Sequence, residues 1–115
     1  MPGFPNLFSV FGPNTALVIN GSIFFMSECG VNYILGCLRM LLETGRRAMD
    51  VRAEAFQRYC AEVDAGNARM AWGGISLVNS WYRNKFGRAA QAWPFTLGDF
   101  WTRTRAPDPS CFILE

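Results

Sequence analysis

The sequence predicts an α+β chain in which a buried strand, a long apolar helix, an amphipathic helix, a β-hairpin and a short C-terminal helix follow one another. Three observations support this order: an apolar run near the start, two segments of helical length, and turn residues between two later apolar runs. Half of the 115 residues are hydrophobic, whereas only 17% are charged. This composition excludes disorder and indicates apolar surface that lipid, a cofactor, a partner chain or the remainder of a larger protein has to cover.

The first apolar run is Leu-Phe-Ser-Val-Phe at residues 7–11, and it predicts a strand. The run is nearly continuous instead of alternating, which is typical of a strand covered on both faces of a parallel sheet. The loop Gly12-Pro13-Asn14-Thr15 then follows the carboxyl end of this strand, where open α/β sheets bind their ligands. Strand and loop together predict one side of a cofactor site.

Residues 23–42 predict a helix that is apolar on almost every side, with Gly45 as its C-cap. Asn20 or Ser22 would cap its start, where the first amides favour a polar or anionic ligand group. The helix has the length of a membrane span, but each of its two charged side chains would cost about 2–3 kcal/mol at mid-bilayer. The sequence therefore favours a helix buried in protein, with a small membrane protein as the alternative.

The remaining elements are predicted from periodicity and turn signals. Residues 50–69 form an amphipathic helix, since their apolar side chains recur at spacings of three, four and seven. Residues 75–82 and 88–93 form the two strands of a hairpin, with its turn at 84–87. A capping box opens the last helix, which spans residues 96–105.

Several functional classes are excluded by what the chain lacks. There is no histidine, no C-x-x-C pair among the four cysteines and no extended basic run. We therefore expect no metal site, no nucleic-acid partner, and reduced thiols in a cytoplasmic protein. The first dozen residues also lack the charged and apolar regions of a signal peptide.

Six short groups of residues follow one another along the chain. They are Phe4-Pro5-Asn6-Leu7-Phe8, Phe11-Gly12-Pro13-Asn14-Thr15, Asn79-Ser80-Trp81-Tyr82, Gly87-Arg88, Trp93-Pro94, and Phe100-Trp101 followed by Arg103 and Arg105. Taken in order, these groups resemble the C-terminal segment of Baeyer-Villiger flavin monooxygenases. The likeness is closest to the branch that includes 4-hydroxyacetophenone monooxygenase, and it runs from about residue 3 to residue 105.

The resemblance implies that residues 1–115 are a single region completing an α/β FAD-binding domain after the chain returns from an NADP domain. It places the loop beside the flavin ring, the start of the long helix nearby, and a tryptophan near the nicotinamide cofactor. The implied cofactor-binding residues are Gly12, Pro13, Asn14, Thr15, Asn20 and Trp81. From the residues alone, Trp81 could equally be a core aromatic of the hairpin.

The chain contains no G-x-G-x-x-G turn, and the active-site arginine of such enzymes lies upstream of the matched region. We therefore expect no catalytic residue here, no complete dinucleotide-binding domain, and neither FAD nor NADP bound tightly by this chain alone.

The parent enzyme would convert a ketone to an ester or lactone with oxygen. The partner would be the rest of the monooxygenase chain, or a homo-oligomer formed through exposed apolar faces. The alternative is a non-enzymatic α+β interaction or dimerisation module.

Overall fold

A computed structural model describes residues 1–18, 21–73 and 81–115 and shows a small α+β chain. The elements in chain order are α1 (Ile23–Thr44), β1 (Met49–Val51), α2 (Ala53–Ala68), α3 (Leu97–Thr104), a 3₁₀ turn (Pro109–Cys111) and β2 (Phe112–Leu114). The two strands pair antiparallel, with Asp50 opposite Ile113. The α+β class and all three predicted helices are thus confirmed.

Helix α1 begins and ends where its capping residues predict. The Ser22 hydroxyl accepts a hydrogen bond from the Phe25 amide at 3.3 Å, and Gly45 ends the helix in the left-handed conformation at φ 65°. Burial is confined to one side of the helix. The buried residues are Met26, Cys29, Cys37 and Leu41. Within the described ranges, no helix combines the length and apolar character needed to cross a membrane.

The other two helices differ in how they begin. Helix α2 starts after Arg52, which supplies no side-chain cap, and Asp50 belongs to β1 instead of the predicted helix. In α3 the Thr96 hydroxyl accepts from the Asp99 amide at 3.1 Å, so the predicted capping interaction is confirmed. The start of α3 is therefore set locally.

All three helices contribute to one apolar cluster, which we call the tryptophan core. Its members are Met26, Cys29, Val63, Trp93 and Phe100. The Trp93 ring meets Phe95 and Phe100 edge-on, with centroids 5.0 and 5.2 Å away. Its indole nitrogen donates to the Thr96 carbonyl at 3.2 Å, so the polar edge of the buried ring is satisfied.

A second cluster, the sheet core, joins the C-terminal half of α1 to the sheet. It consists of Cys37, Leu41 and Met49, with Phe8, Tyr33, Met40, Phe112 and Leu114 packed against it. The end of the chain is therefore held against α1 through β2.

Arg103 connects α3 to α2 at the edge of the tryptophan core. Its guanidinium donates to both carboxylate oxygens of Glu62, at 2.5 and 3.0 Å, and to Asp99 at 3.2 Å. It also lies over Trp93 and Phe95, 5.6 and 5.1 Å from their ring centroids. The hydrogen bond from Arg103 lowers the pKa of the exposed Glu62 carboxylate.

The predicted strand at residues 7–11 is wrong. These residues form no strand, and Leu7 is 56% exposed. A strand requires a neighbour for its main-chain bonds, but here the sheet pairs β1 with β2. The segment contacts β1 through Asn6 instead, whose main-chain amide donates to the Met49 carbonyl at 3.0 Å and whose side-chain oxygen accepts from the Met49 amide at 3.0 Å.

The predicted hairpin is confirmed only at its turn. Gly87 donates to the Asn84 carbonyl at 2.9 Å, and Asn84 donates to the Arg88 carbonyl at 2.9 Å. Residues 88–93 make single bridges, antiparallel at Ala89 and parallel at Ala92, instead of the predicted continuous strand. Residues 75–80 of the other predicted strand lie outside the described residues.

The burial of the cysteines gives a test of this packing. All four are free, with Cys29 and Cys37 buried and Cys60 and Cys111 partly exposed, and burial raises the pKa of Cys37 to about 11. We expect iodoacetamide at pH 8 to alkylate Cys60 and Cys111 in the native protein, and the other two only in denaturant. Peptide mass spectrometry checks this, and alkylation of Cys37 as fast as Cys60 would contradict the fold.

Candidate functional site

The predicted loop is a tight turn closed by its own residues. The Thr15 hydroxyl accepts from the Gly12 amide at 2.9 Å and donates to the Gly12 carbonyl at 2.7 Å. The Thr15 amide donates to the same carbonyl at 3.3 Å. Pro13 lies exposed at the tip of the turn. The loop is therefore rigid and presents the proline ring outward.

Asn14 anchors this turn to the rest of the chain. Asn14 is only 3% exposed. Its φ of 59° lies in the left-handed region, which asparagine tolerates better than most residues do. The side-chain amide donates to the carbonyls of Ala89 and Ala92 at 2.9 and 3.2 Å. The main-chain amide donates to the Ala90 carbonyl at 3.1 Å. One asparagine thus binds three carbonyls of the segment before Trp93.

A second asparagine, not singled out in the sequence, binds the same segment from α2. The Asn67 side-chain amide donates to the Ala92 carbonyl at 3.1 Å, and its oxygen accepts from the Trp72 indole at 2.7 Å. Asn67 is 2% exposed. The sequence does contain a signal for this role. Asn67 is four positions after Val63, on the same face of the amphipathic helix, and a polar side chain buried on such a face needs a hydrogen-bond partner.

Ala16 completes the connection between the loop and residues 89–93. Its amide donates to the Gln91 carbonyl at 2.9 Å, and its carbonyl accepts from the Trp93 amide at 2.8 Å. This is the parallel bridge opposite Ala92. The segment that carries Trp93 into the core is consequently bound on one side by Asn14 and Ala16 and on the other by Asn67.

Trp81 is on the surface, with 69% of its area exposed, so the alternative of a core aromatic is wrong. Its ring lies 4.3 Å from that of Tyr82, measured between centroids. The Tyr82 carbonyl accepts from the Ala90 amide at 3.2 Å, and the Ala90 carbonyl accepts from Asn14. Trp81 and the loop are therefore attached to the same short segment, although no direct contact joins them among the described interactions.

The start of α1 lies beside the start of α3. Gly21 packs against Leu17 and against Leu97, the first residue of α3, so closely that a β-carbon would collide with both. The starts of the two helices therefore lie close together, so both amino-terminal dipoles act in this region. Asn20, the remaining predicted site residue, lies outside the described residues.

The hydrogen-bond donors of the loop are already used within the protein. The amides of Gly12, Asn14 and Thr15 all have protein acceptors, and Pro13 has no amide hydrogen. Toward the outside, the loop therefore presents main chain and the Pro13 ring instead of free donors. Among the described residues, no group of histidine, cysteine, aspartate or glutamate side chains could hold a metal ion.

Thr15 also lines an apolar cavity of about 460 Å³ between the N-terminal segment and the helices. Tyr33 and Tyr59 contribute phenol groups to its wall, and burial raises the pKa of both. The two phenols stay protonated at neutral pH and can donate hydrogen bonds. The cavity can hold an apolar group, but these phenols supply no base at neutral pH.

Curated proteins similar to this chain are named monooxygenases. A protein named an uncharacterized monooxygenase from Sinorhizobium fredii is 32% identical over 106 residues, which is 92% of this chain. Proteins named Baeyer-Villiger monooxygenase from Streptomyces coelicolor and Pseudomonas aeruginosa are 38% and 33% identical, over 92% and 97% of the chain. These matches support a relation to monooxygenases along nearly the whole chain.

The chain spans only about a fifth of the length of these relatives, namely 16%, 20% and 21%. No family model matches the sequence, and no solved structure matches it.

Substitutions at Asn14 test whether its side chain holds the loop. We expect Asn14→Ala to lower the free energy of unfolding by about 1–3 kcal/mol for each buried carbonyl left without a donor. Asn14→Gly relieves the left-handed backbone but removes the same donors, so it should remain destabilised. Urea denaturation measures both, with Asn32→Ala on the exposed face of α1 as the matched control. Wild-type stability for Asn14→Gly would contradict the role of the side chain.

Proposed function

We propose that this chain is the C-terminal portion of an FAD- and NADP-dependent Baeyer-Villiger monooxygenase, in the branch that includes 4-hydroxyacetophenone monooxygenase. The observation that carries the proposal is the similarity over 92–97% of the chain to larger proteins, two of which bear the Baeyer-Villiger name. The whole enzyme would insert an oxygen atom beside a ketone carbonyl and release an ester or lactone. FAD and NADP, when bound, supply the redox chemistry of that insertion.

The turn Gly12–Thr15 would form part of the wall against the flavin ring. Its internal hydrogen bonds and the anchoring of Asn14 make it a preorganised surface, which orients a cofactor without having to reorder on binding. The exposed Pro13 ring offers apolar contact to a flat ring. The neighbouring starts of α1 and α3 favour the negative charge that a dinucleotide carries, and Asn20, two residues before the Ser22 cap in the sequence, would contribute to binding it.

Trp81 would contact the nicotinamide cofactor. Its indole has a flat apolar face and one N–H donor, which suits stacking against a planar ring. Its 69% exposure leaves that face open to a group that does not belong to the described part of the chain. The Tyr82 ring behind it holds the indole in place.

The isolated chain would be inactive and would hold neither cofactor tightly. It has no glycine-rich turn at which main chain can approach a pyrophosphate, and the amides of its one candidate loop are occupied. Binding energy for two dinucleotides would therefore come mainly from the rest of the enzyme. The expected partner is this remaining part, and the expected location is the cytoplasm.

A chimera tests the proposal. In it, residues 1–115 replace the matching segment of the Streptomyces coelicolor relative. We expect the purified chimera to show flavin absorbance and to convert an aryl ketone to its ester with NADPH and ¹⁸O₂, with the label detected by mass spectrometry. The relative with its matching segment deleted is the control and should do neither. A chimera that is monodisperse and helical but binds no flavin would contradict the proposal. Robust turnover by the isolated 115-residue chain would contradict the expectation that this chain is inactive alone.

Trp81→Ala in the same chimera tests the nicotinamide contact. Loss of one aromatic contact of about 0.5–1.5 kcal/mol should raise the KM for NADPH about 2- to 10-fold, while flavin absorbance stays unchanged. Trp81→Phe should retain most of the affinity. Phe86→Ala is the matched control, because Phe86 is an exposed aromatic near the same turn. Equal effects of the Trp81 and Phe86 substitutions would argue against a specific role for Trp81.

A further inference from the structure

Asn6 attaches the N-terminal segment to one edge of β1. Its main-chain amide donates to the Met49 carbonyl at 3.0 Å, and its side-chain oxygen accepts from the Met49 amide at 3.0 Å. Its side-chain nitrogen donates to the Arg47 carbonyl at 3.0 Å. One asparagine therefore makes three hydrogen bonds to the main chain of residues that lie 41 and 43 positions away.

The register of the sheet explains why the main-chain groups of Met49 are free to bind Asn6. Met49 lies opposite Leu114, and the preceding residue, Ala48, exchanges two hydrogen bonds with Glu115. Because bonded and non-bonded pairs alternate in an antiparallel ladder, the amide and carbonyl of Met49 point away from β2. Asn6 thus takes the place of a third strand over the length of a single residue.

The backbone of Asn6 suits this role. Its φ of 58° lies in the left-handed region, and Asn14 is the other non-glycine residue with a positive φ in the part of the chain that the structure describes. Asparagine tolerates this region better than most residues do. A residue in this conformation interrupts an extended strand, so the main-chain pairing with β1 does not continue beyond Asn6.

Asn14 repeats the arrangement eight positions later in the sequence. Its side chain donates to two carbonyls of the segment before Trp93, just as the side chain of Asn6 binds two main-chain groups beside β1. The two asparagines therefore attach the two ends of residues 6–14 to two distant parts of the chain. The turn Gly12–Thr15 lies at the second of these ends.

The main chain between the two asparagines has little support of its own. Among the described residues, the main chain of residues 8–11 forms no hydrogen bond. Phe8 packs against the sheet core, and the main chain of Val10 lies against Gly30 of α1. Apolar contacts of this kind are non-directional, so they do not fix the position of the segment along its own length. That position depends on the attachments at the two ends.

We propose that Asn6 is a positioning residue for the turn Gly12–Thr15, because its bonds to β1 fix the segment that brings this turn against the flavin. The part that concerns the flavin rests on the proposed function, whereas the attachment to β1 does not. Without the side chain of Asn6, residues 7–11 gain freedom that FAD binding has to remove again. The affinity for FAD falls by the free energy of that ordering.

Two substitutions separate the side chain of Asn6 from its backbone. Asn6→Gly keeps the left-handed conformation free of strain and keeps the main-chain bond to Met49, but it removes both side-chain bonds. Asn6→Asp keeps the acceptor for the Met49 amide and places a carboxylate oxygen against the Arg47 carbonyl, which is repulsive. Asp108→Ala is the matched control, since it removes a side-chain hydrogen bond to the Ser110 amide in the 3₁₀ turn before β2.

Nuclear magnetic resonance relaxation of the 115-residue chain tests the attachment without any cofactor. We expect the backbone order parameters of residues 8–11 to be about 0.85 in the wild type and below about 0.6 in both Asn6 variants. Asp108→Ala should leave them at the wild-type value. Rigid residues 8–11 in Asn6→Gly would show that the side chain does not hold the segment, and would overturn the proposal.

The chimera with the Streptomyces coelicolor relative tests the consequence for the flavin. Both Asn6 variants should raise the dissociation constant of FAD about 5- to 50-fold, the equivalent of one or two hydrogen bonds. They should also change the visible circular dichroism of the bound flavin, whereas Asp108→Ala should change neither quantity. An equal loss of affinity in Asp108→Ala would mean general destabilisation and would overturn the positioning role, as would wild-type FAD affinity in Asn6→Gly.

The two measurements also separate this proposal from the proposed function. A chimera with Asn6 in place that binds no FAD contradicts the proposed function, and the order parameters of the isolated chain then decide whether Asn6 fixes the segment. A chimera that binds FAD equally well with and without the Asn6 side chain leaves the proposed function standing and contradicts the positioning role alone.

Discussion

Two buried asparagine side chains hold the segment of residues 89–93 in place, and both donate to the main-chain carbonyl of Ala92. This segment belongs to no regular strand, so its carbonyls have no ladder of partners within a sheet. A buried carbonyl without a donor would cost about 1–3 kcal/mol. Asn14 from the N-terminal loop and Asn67 from α2 remove that cost, and by doing so they fix where Trp93 enters the core. The three helices then pack around its ring.

The same constraint determines what the loop can do for a ligand. The side-chain amide of Asn14 is directed inward, and the other loop amides are bound within the turn. What remains toward the outside is a rigid surface with Pro13 at its tip. A surface of this kind orients a planar cofactor by contact and excludes water from it, but it does not supply most of the binding energy. The proposed role, contact without most of the binding energy, fits a chain that spans about a fifth of the length of its monooxygenase relatives.

The elements that the sequence predicts correctly are those set by neighbouring residues. Helix α1 begins at the Ser22 cap and ends at Gly45, and the first turn of α3 is closed by Thr96. Each depends on contacts within a few positions. The prediction of a strand at residues 7–11 was wrong because a strand depends on a contact that is not local. It forms only if a distant segment pairs with it. The pairing of β1, in the middle of the chain, with β2, near its end, left no signal in the local pattern.

The candidate site divides in the same way. The sequence by itself determined the caps, the tight turn at Gly12–Thr15 and the apolar excess of α1, because turn chemistry and helical periodicity are local properties. Only the tertiary structure decided that Asn14 turns inward, that Asn67 meets it at Ala92, and that Trp81 is exposed instead of buried. Those outcomes depend on which distant groups need hydrogen-bond partners and which surfaces are left over, and a linear pattern does not contain that information.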